Sequence, residues 1–299
     1  MDDIEVTPSS TGRPAEIMRS GHNACPGCAQ AIAMRLILRT LGGRTIVVVV
    51  PACAAIIAGQ FPRTSLNVPV FLAAFETAGA SAAGISNALK YKGQDDIIVL
   101  ALAGDGGTFD IGLQSLSGAA DRNEDFIYVC MDNEAYMNTG IQVSSATPRY
   151  TWTGTTPTGN PRRKKQIMEI MAAHRIPYAA TASIGFPEDL MRKVKRAKEM
   201  RGTRFIHLLS PCPTGWKMAE DLTAKIGTLA VETNIFPLYE IEDGLFYRIN
   251  HYSRGLPVDD YLSLQGRYDH LTQKEIHDIQ AETDRTWKDL QAKADRGKY

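Results

Sequence analysis

Long apolar runs rich in β-branched residues are the feature that most constrains the fold of this chain. A strand covered on both faces forms a continuous apolar run, whereas a half-exposed strand alternates apolar with polar residues. Segments with helical periodicity separate these runs, so the alternation predicts an α/β fold: a mostly parallel sheet with helices on both faces. The runs are TIVVVV at 45–50, DIIVLALA at 96–103, FIYVCM at 126–131 and TRFIHLLS at 203–210.

The weaker patterns complete this prediction. A further strand is expected at 178–183, and IFPLYEIEDG at 235–244 is typical of an edge strand or an arm. The predicted organisation is an N-terminal arm at 1–20, one binding domain at 21–222, and a C-terminal extension at 223–299 that packs on the domain or on partner subunits. Helices are predicted at 29–41, 73–89, 111–122, 166–174, 187–201 and 271–293.

Composition excludes some classes of function. The 299 residues include 33 basic and 33 acidic side chains, and this zero net charge does not favour a nucleic acid or a membrane surface as partner. The acidic start MDDIEVTPSS is not typical of a signal peptide, and Pro51 interrupts the longest apolar run. We therefore expect a cytoplasmic protein, in which the five cysteines are ligands, catalysts or packing residues rather than disulfides.

The motif GDGG follows the second apolar run and comprises Gly104, Asp105, Gly106 and Gly107. Glycines after a buried strand let the backbone approach a diphosphate, and the N-terminus of a following helix favours negative charge. Asp105 is suited to hold a hard cation such as Mg²⁺ beside the phosphates. The alternative is a tight turn that binds no ligand.

A second motif, DNEAYMNTG at 132–140, follows the next strand. Because one strand–helix–strand unit separates the motifs, both strand ends are expected at the same edge of the sheet. The Asp105 carboxylate, the Asn133 side-chain oxygen and a carbonyl near Ala135 would then share one octahedral metal ion with diphosphate oxygens. The alternative is an Asx-type turn at Asp132-Asn133 that only ends the strand.

Four cysteines lie in loops or at strand ends with prolines nearby: Cys25, Cys28, Cys53 and Cys212. Four thiolates in such places suit a [4Fe–4S] cluster or a zinc site, and their spacing also allows no metal at all. A redox dithiol at Cys25 and Cys28 is disfavoured because no obvious strand precedes it. Cys130 lies inside a predicted strand, where a small buried apolar residue is expected.

Other polar residues have structural interpretations. The segment 139–165 is a long loop of the sort usually tied to a site, and its charge run Arg162-Arg163-Lys164-Lys165 is interpreted as a solvated helix start. His174 and His207 lie in apolar segments and are predicted to be hydrogen-bonded core residues. For Trp216, filling the core is favoured over shielding a metal centre.

Together these motifs make the chain resemble the β subunit of the pyruvate:ferredoxin oxidoreductases and the related thiamine-diphosphate 2-oxoacid:ferredoxin oxidoreductases. The resemblance extends from about residue 20 to 285, and GDGGTFDIG with DNEAYMNTGIQ is its most specific part. The other matching stretches are GHNACPGCAQAIAMR, PACAAII, AAHRIPYAATAS, LLSPCPTGW and DYLSLQGRYDHLT.

The resemblance implies a role for each candidate residue. Asn138 would be the catalytic side chain that points toward the thiazolium and the substrate, and Gln30 would also contact the cofactor. Asp105, Asn133 and the Ala135 carbonyl would bind Mg²⁺, and the glycines Gly104, Gly106 and Gly107 would approach the diphosphate. The ligands of a [4Fe–4S] cluster close to the thiamine would be Cys25, Cys28, Cys53 and Cys212.

The implied reaction is the oxidative decarboxylation of pyruvate with coenzyme A to acetyl-CoA and CO₂, with electrons passed to ferredoxin. One partner subunit would supply the activating glutamate and the contacts to the substrate carboxylate, and another, ferredoxin-like subunit would carry further clusters. Glu76, expected on a helix of the diphosphate-binding domain, is more typical of packing or of the cofactor surroundings than of that activator.

Three alternatives remain. The same machinery would also serve another 2-oxo acid, oxalate or an aryl glyoxylate. A non-redox thiamine enzyme with structural zinc is a second alternative, and a non-catalytic assembly subunit is a third.

Overall fold

The computed structural model of the protein describes residues 16–296. An eight-stranded sheet forms its centre, with the strand order β2-β1-β3-β4-β6-β5-β7-β8. The strands are β1 Thr45–Val49, β2 Val70–Leu72, β3 Ile98–Gly104, β4 Phe126–Asp132, β5 Tyr178–Ser183, β6 Thr203–Leu209, β7 Tyr239–Glu242 and β8 Phe246–Ile249.

Strands β1 to β6 pair with one another in parallel, whereas β7 is antiparallel to both of its neighbours, β5 and β8. Helices cover both faces of the sheet, so the predicted fold class is confirmed. The α-helices are α1 Ala29–Leu41, α2 Cys53–Ala58, α3 Ala78–Tyr91, α4 Leu113–Asp121, α5 Ile167–Ala173, α6 Pro187–Glu199, α7 Pro213–Trp216, α8 Thr223–Glu232, α9 Asp259–Leu262 and α10 Gln273–Arg296.

Burial on both faces explains the continuous apolar runs. Along β1, Val47 and Val49 face a core shared with α1 and α6, whereas Val48 faces a second core with α3 and α4. Successive side chains of a strand point to opposite faces, so a strand between two such cores has no polar face. Every residue of β4 is buried for this reason, and Cys130 within it is a buried apolar residue as predicted.

Several boundaries differ from the predictions. The short strand β2 was not predicted, and α3 begins at Ala78 rather than at residue 73. As a result Glu76 lies exposed in the turn before α3 and not on a helix. The segment predicted as an edge strand forms β7, which pairs with β5 on one side and β8 on the other, so that β8 is the edge.

The two ends of the chain pack on the sheet. Within the predicted arm 1–20, only residues 16–20 are described, and there Ile17 and Met18 are buried in the core shared with α1. A third apolar cluster joins Leu209 and Trp216 to Tyr261 and Tyr268, across the proposed boundary at residue 222. The division into domains stays a prediction. Among residues 16–296, the apolar stretches of the helices are too short to cross a membrane.

Two glycines of α3 give a test of this packing. A Cβ added at Gly79 would lie 2.8 Å from the Leu116 Cα and the Ser115 carbonyl oxygen of α4, whereas Gly84 has open space around it. We expect Gly79→Ala to lower the free energy of unfolding by about 1–3 kcal/mol through overpacking. Gly84→Ala should instead raise it by about 1 kcal/mol through helix propensity. Urea unfolding of both variants measures the difference, and equal stability of the two would contradict the helix contact.

Candidate active site

The pairing of β3 with β4 brings the two polar motifs together. Gly104, the last residue of β3, lies opposite Met131 near the end of β4. The residues that follow, Asp105 and Asn133, therefore lie side by side at the carboxyl edge of the sheet, where ligands of open α/β sheets bind. Both are almost completely buried, with 1% and 4% of their surface exposed.

The Asn133 amide has two orientations in this position. In one, its Oδ1 lies 3.0 Å from Asp105 Oδ1 and 2.9 Å from the Ala135 carbonyl oxygen, so that three oxygens converge without a proton between them. In the other, which satisfies the hydrogen bonds of the protein by itself, the amide nitrogen takes this place and donates to both oxygens, while Oδ1 accepts from Gln30 Nε2 at 3.2 Å. A cation among the oxygens would favour the first orientation. Octahedral Mg²⁺ at its usual ligand distance separates neighbouring oxygens by about 2.9 Å, so these three groups fit Mg²⁺.

The surroundings of Asp105 disfavour the charged form of its carboxyl. Burial raises the pKa of this carboxyl well above its usual range, and the nearby charge of Asp132 raises it further. A hydrogen bond from Ser144 and the charge of Lys164 only partly offset these effects. Since a buried charge needs a partner, the ionised carboxylate would be stabilised by a cation placed among the three oxygens.

The glycines of GDGG differ in the space that is available for a side chain. A Cβ at Gly106 would lie 2.1 Å from the Tyr136 ring, and one at Gly107 would be 3.2 Å from the Phe75 ring. Gly104, by contrast, leaves room for an ordinary contact. A π-helical turn over Gly106–Asp110 follows Asp105, and the Tyr136 hydroxyl donates to Asp110 at 2.8 Å. A side chain at Gly106 would therefore displace the ring that encloses this turn.

The four predicted cysteine ligands come from segments that are far apart in the sequence. Cys25 and Cys28 precede α1, and Cys53 follows β1 as predicted and begins α2. Cys212 accepts a hydrogen bond from Gly215 N–H before α7. Gly27 allows the first pair to reach Cys212. It has φ +68°, and a Cβ there would lie 2.2 Å from the Glu220 carbonyl oxygen.

The thiols are close enough to influence one another. Burial, followed by the charges of Cys212 and Cys28, raises the pKa of the Cys53 thiol to about 12. Burial also raises the pKa of Cys28 and of Cys212. Between residues 16 and 296, no three His, Cys, Asp or Glu side chains are close enough together to hold a single metal ion. The thiols are thus near one another, but within the described residues they are not close enough to bind one ion together.

Cys53 connects the thiols to the polar motifs. Its Sγ lies 3.2 Å from Asn138 Oδ1 and 3.8 Å from Asn133 Nδ2. Gln30 is also near, because its Nε2 donates to the Met131 carbonyl, while its buried Oε1 has no hydrogen-bond partner within the described chain. The structure therefore brings every predicted site residue to one edge of the sheet.

Some structural interpretations from the sequence are confirmed. His207 is buried, with its Nε2 2.7 Å from Asp132 Oδ2. His174 is hydrogen-bonded as predicted, with its Nε2 3.0 Å from the Ser117 hydroxyl, but it is half-buried and does not lie in the core. An Asx turn is also present, since Asp132 Oδ1 accepts from the Glu134 N–H at 2.8 Å. It coexists with the site, because Asp132 closes the turn while Asn133 faces Asp105.

Other residues near the site were missed. Trp216 fills the core, but its Nε1 also donates to the Asn133 carbonyl at 2.8 Å. The prediction that the charge run is solvated was wrong for Lys164, whose ammonium lies between Asp132 and Glu134 instead of in solvent. It was wrong for Lys165 as well, because this side chain donates to the Phe109 carbonyl. Arg162 and Arg163 are exposed as predicted.

A cavity of about 560 Å³ is lined in part by the segment 139–165. Glu134, Lys164 and His207 line it, together with residues of α10. None of the predicted site residues lines this cavity, so it is separate from the converging oxygens and the thiols.

Comparison with known proteins identifies the family of this chain. Residues 52–208 match the family model of the thiamine pyrophosphate enzyme, C-terminal TPP binding domain. Ketoisovalerate oxidoreductase subunit VorB of Pyrococcus abyssi is 46% identical over 92% of this chain and 93% of its own length. Pyruvate synthase subunit PorB of Methanothermobacter thermautotrophicus is 47% identical over 92% of this chain and 97% of its own.

Among solved structures, a 2-oxoglutarate:ferredoxin oxidoreductase from Magnetococcus marinus has a similar fold. Its TM-score is 0.58 at 25% sequence identity, and the match covers 66% of this chain and 67% of that one. The chain therefore belongs to the thiamine pyrophosphate enzymes and, within them, to the family of 2-oxoacid:ferredoxin oxidoreductase subunits. The predicted family and oxidoreductase class are confirmed.

The buried carboxyl of Asp105 predicts a gain in stability on its removal. Because its pKa is raised in the folded protein, folding opposes its ionisation, and this penalty grows as the pH rises above the ordinary aspartate pKa of about 4. Without metal, Asp105→Asn should raise the free energy of unfolding at pH 7 by about 1–3 kcal/mol and by much less near pH 4. Urea unfolding at both pH values measures this.

The matched control for this change is Asp121→Asn, which removes the same charge from an exposed position. We expect it to change stability by less than about 0.5 kcal/mol at either pH. If Asp105→Asn destabilises the metal-free protein at pH 7, the ionised carboxylate has a partner and the description of this site is wrong.

Proposed function

We propose that this chain is the subunit of a 2-oxoacid:ferredoxin oxidoreductase that binds thiamine diphosphate through Mg²⁺ and also binds a [4Fe–4S] cluster. The observation that carries the proposal is the position of the Asn133 amide. Its end atom lies 3.0 Å from Asp105 Oδ1 and 2.9 Å from the Ala135 carbonyl oxygen, and in one of its two orientations this atom is an oxygen. In the orientation that suits a cation, the Asn133 amide nitrogen faces Cys53. The proposed metal site would thus lie next to the Cys53 thiol.

Three protein groups would hold the metal. The Asp105 carboxylate, the Asn133 side-chain oxygen and the Ala135 carbonyl supply oxygen ligands, and diphosphate oxygens would complete the octahedron. The backbone from Gly104 to Gly107 would approach the phosphates. Burial of Asp105 excludes water from this side of the metal, which strengthens its attraction to the cation.

The thiols would hold the cluster. Cys25, Cys28, Cys53 and Cys212 would each contribute one thiolate, and a cluster accepts electrons one at a time. Thiamine diphosphate, when bound, supplies the carbanion chemistry that releases CO₂ from a 2-oxo acid. Cys53, in contact with Asn138, is the thiol nearest to the polar side of the site. Asn138 would orient the substrate by its amide, and Gln30, with its unpaired Oε1, would contact the cofactor.

The rest of the catalytic apparatus would lie on other chains. A partner subunit would supply the activating glutamate and the contacts to the substrate carboxylate, and a ferredoxin-like subunit would carry further clusters. Coenzyme A and ferredoxin would be the acyl and electron acceptors. A cytoplasmic location completes this proposal.

We propose pyruvate as the substrate, and the names of the relatives also include another 2-oxo acid. The two named relatives differ by one percentage point in identity, and their names refer to pyruvate and to ketoisovalerate. A panel of 2-oxo acids, oxalate and phenylglyoxylate, assayed on the intact complex with coenzyme A and a low-potential acceptor, decides the substrate. Reduction of the acceptor by ketoisovalerate, oxalate or phenylglyoxylate but not by pyruvate would overturn the choice.

Loss of the Asp105 carboxylate tests the thiamine site. Asp105→Asn should lower 2-oxo acid oxidation and Mg²⁺-dependent thiamine diphosphate binding by about 100-fold or more, since a direct metal ligand is lost. The measurement is calorimetric titration of the cofactor into the complex, with Asp121→Asn as control. Unchanged activity would favour a non-catalytic assembly subunit.

Loss of single thiols tests the cluster. Cys53→Ser and Cys212→Ser should remove most of the iron and the visible absorbance that bleaches on reduction, because each thiolate binds one corner of the cluster. Cys130→Ala is the matched control, since Cys130 is a buried thiol of β4 outside the proposed ligand set and should leave the iron content unchanged. Colourless wild-type protein containing zinc would instead support the non-redox alternative.

A further inference from the structure

The loop that carries two of the three converging oxygens also carries two buried carboxylates. Asp132 and Glu134 flank Asn133, and they are 0% and 3% exposed. Two buried carboxylates so close in sequence repel each other and need cations nearby to remain ionised. The cations that contact them come from segments far along the chain.

Lys164 contacts both carboxylates at once. Its Nζ lies 2.6 Å from Asp132 Oδ2 and 2.8 Å from Glu134 Oε1. Burial lowers the pKa of Lys164, but the charges of Asp132 and Glu134 outweigh this effect and raise it overall. The ammonium therefore remains charged between the two carboxylates.

Arg267 contacts the other oxygen of Glu134. Its Nη2 lies 2.8 Å from Glu134 Oε2, and only 1% of its surface is exposed. The guanidinium carbon lies 3.7 Å from the centre of the Trp216 ring, whose indole N–H donates to the Asn133 carbonyl. Arg267 and Trp216 thus contact the loop at neighbouring residues.

The loop has an unusual backbone conformation at its centre. Glu134 has φ +67°, in the left-handed region that residues with a side chain disfavour. The Thr147 hydroxyl donates to the Glu134 carbonyl at 2.6 Å. In this conformation Asp132 and Glu134 face the cations, whereas the Asn133 amide lies between Asp105 and the Ala135 carbonyl.

The charges of this group balance. Two carboxylates are matched by Lys164 and Arg267, and burial lowers the pKa of His207 beside Asp132, which favours its neutral form. Asp105 lies outside this balance and contacts the Ser144 hydroxyl rather than a cation. The proposed Mg²⁺ would therefore meet one uncompensated carboxylate instead of three.

We propose that Lys164 and Arg267 are positioning residues for the metal site: by neutralising Asp132 and Glu134 they hold the loop so that Asn133 and Ala135 face Asp105. This inference rests on the proposed function, because it presumes that Mg²⁺ and thiamine diphosphate bind there. It assigns a role to Lys164 and Arg267, which the sequence did not connect with the metal site.

The test is Lys164→Met in the assembled complex, with the Mg²⁺ concentration for half-maximal thiamine diphosphate binding as the readout. We expect this concentration to rise by about 10- to 100-fold, as for other residues that support metal ligands. Lys193→Met is the matched control. Lys193 is equally long, 0% exposed, and paired with Asp189 at 2.6 Å on α6, outside the metal loop. It should lower the melting temperature and leave the Mg²⁺ requirement unchanged.

A double variant separates charge from packing. Asp132→Asn combined with Lys164→Met removes one charge of each sign, and it should restore the Mg²⁺ requirement to within about threefold of wild type. If Lys164→Met does not assemble, Lys164→Gln replaces it, since it retains a donor but no charge.

The outcomes distinguish the two proposals. If wild-type protein binds no thiamine diphosphate with Mg²⁺, the proposed function fails. If wild type binds and the Lys164 variant has an unchanged Mg²⁺ requirement, or if the Lys193 control shows the same rise, the positioning role is refuted.

Discussion

The pairing of β3 with β4 is the contact on which the candidate site depends. It places Gly104 opposite Met131, and the residues just beyond, Asp105 and Asn133, then share one edge of the sheet. Both strands are buried on two faces, which fixes their register, because a slip by one residue would exchange the faces of every side chain. The packing of two apolar cores therefore sets the distance between polar groups that lie outside both.

Charge at this edge is arranged at a cost in stability. Asp105 is buried without a cationic partner, whereas the nearby Asp132 and Glu134 contact Lys164 and Arg267. Burial raises the pKa of Asp132, but Lys164 and His207 outweigh this and lower it to about 2. A buried carboxyl that contacts a hydroxyl group and no cation lowers stability, as groups in functional sites commonly do.

The thiols depend on a different kind of contact. Cys25 and Cys28 approach Cys212 because Gly27 lies against the Glu220 carbonyl and because the Thr223 hydroxyl donates to the Gly27 carbonyl at 2.6 Å. Any side chain at residue 27 would separate these segments. Cys53, at the start of α2, then lies between the thiols and the amides of Asn133 and Asn138. Backbone approach and not thiol spacing alone brings the four sulfurs near each other.

The sequence by itself determined the α/β class, the strand ends that carry Asp105 and Asn133, and the cysteines near them, because burial on two faces and turn chemistry are local patterns. It did not determine β2, whose three residues are too few for a periodic signal, or the place of Lys164. A lysine in a charge run is solvated unless carboxylates elsewhere enclose it. Lys164 meets Asp132 and Glu134, and Arg267 meets Glu134, only after distant segments of the chain have packed, so tertiary structure alone decided that the Lys164 ammonium lies between two carboxylates.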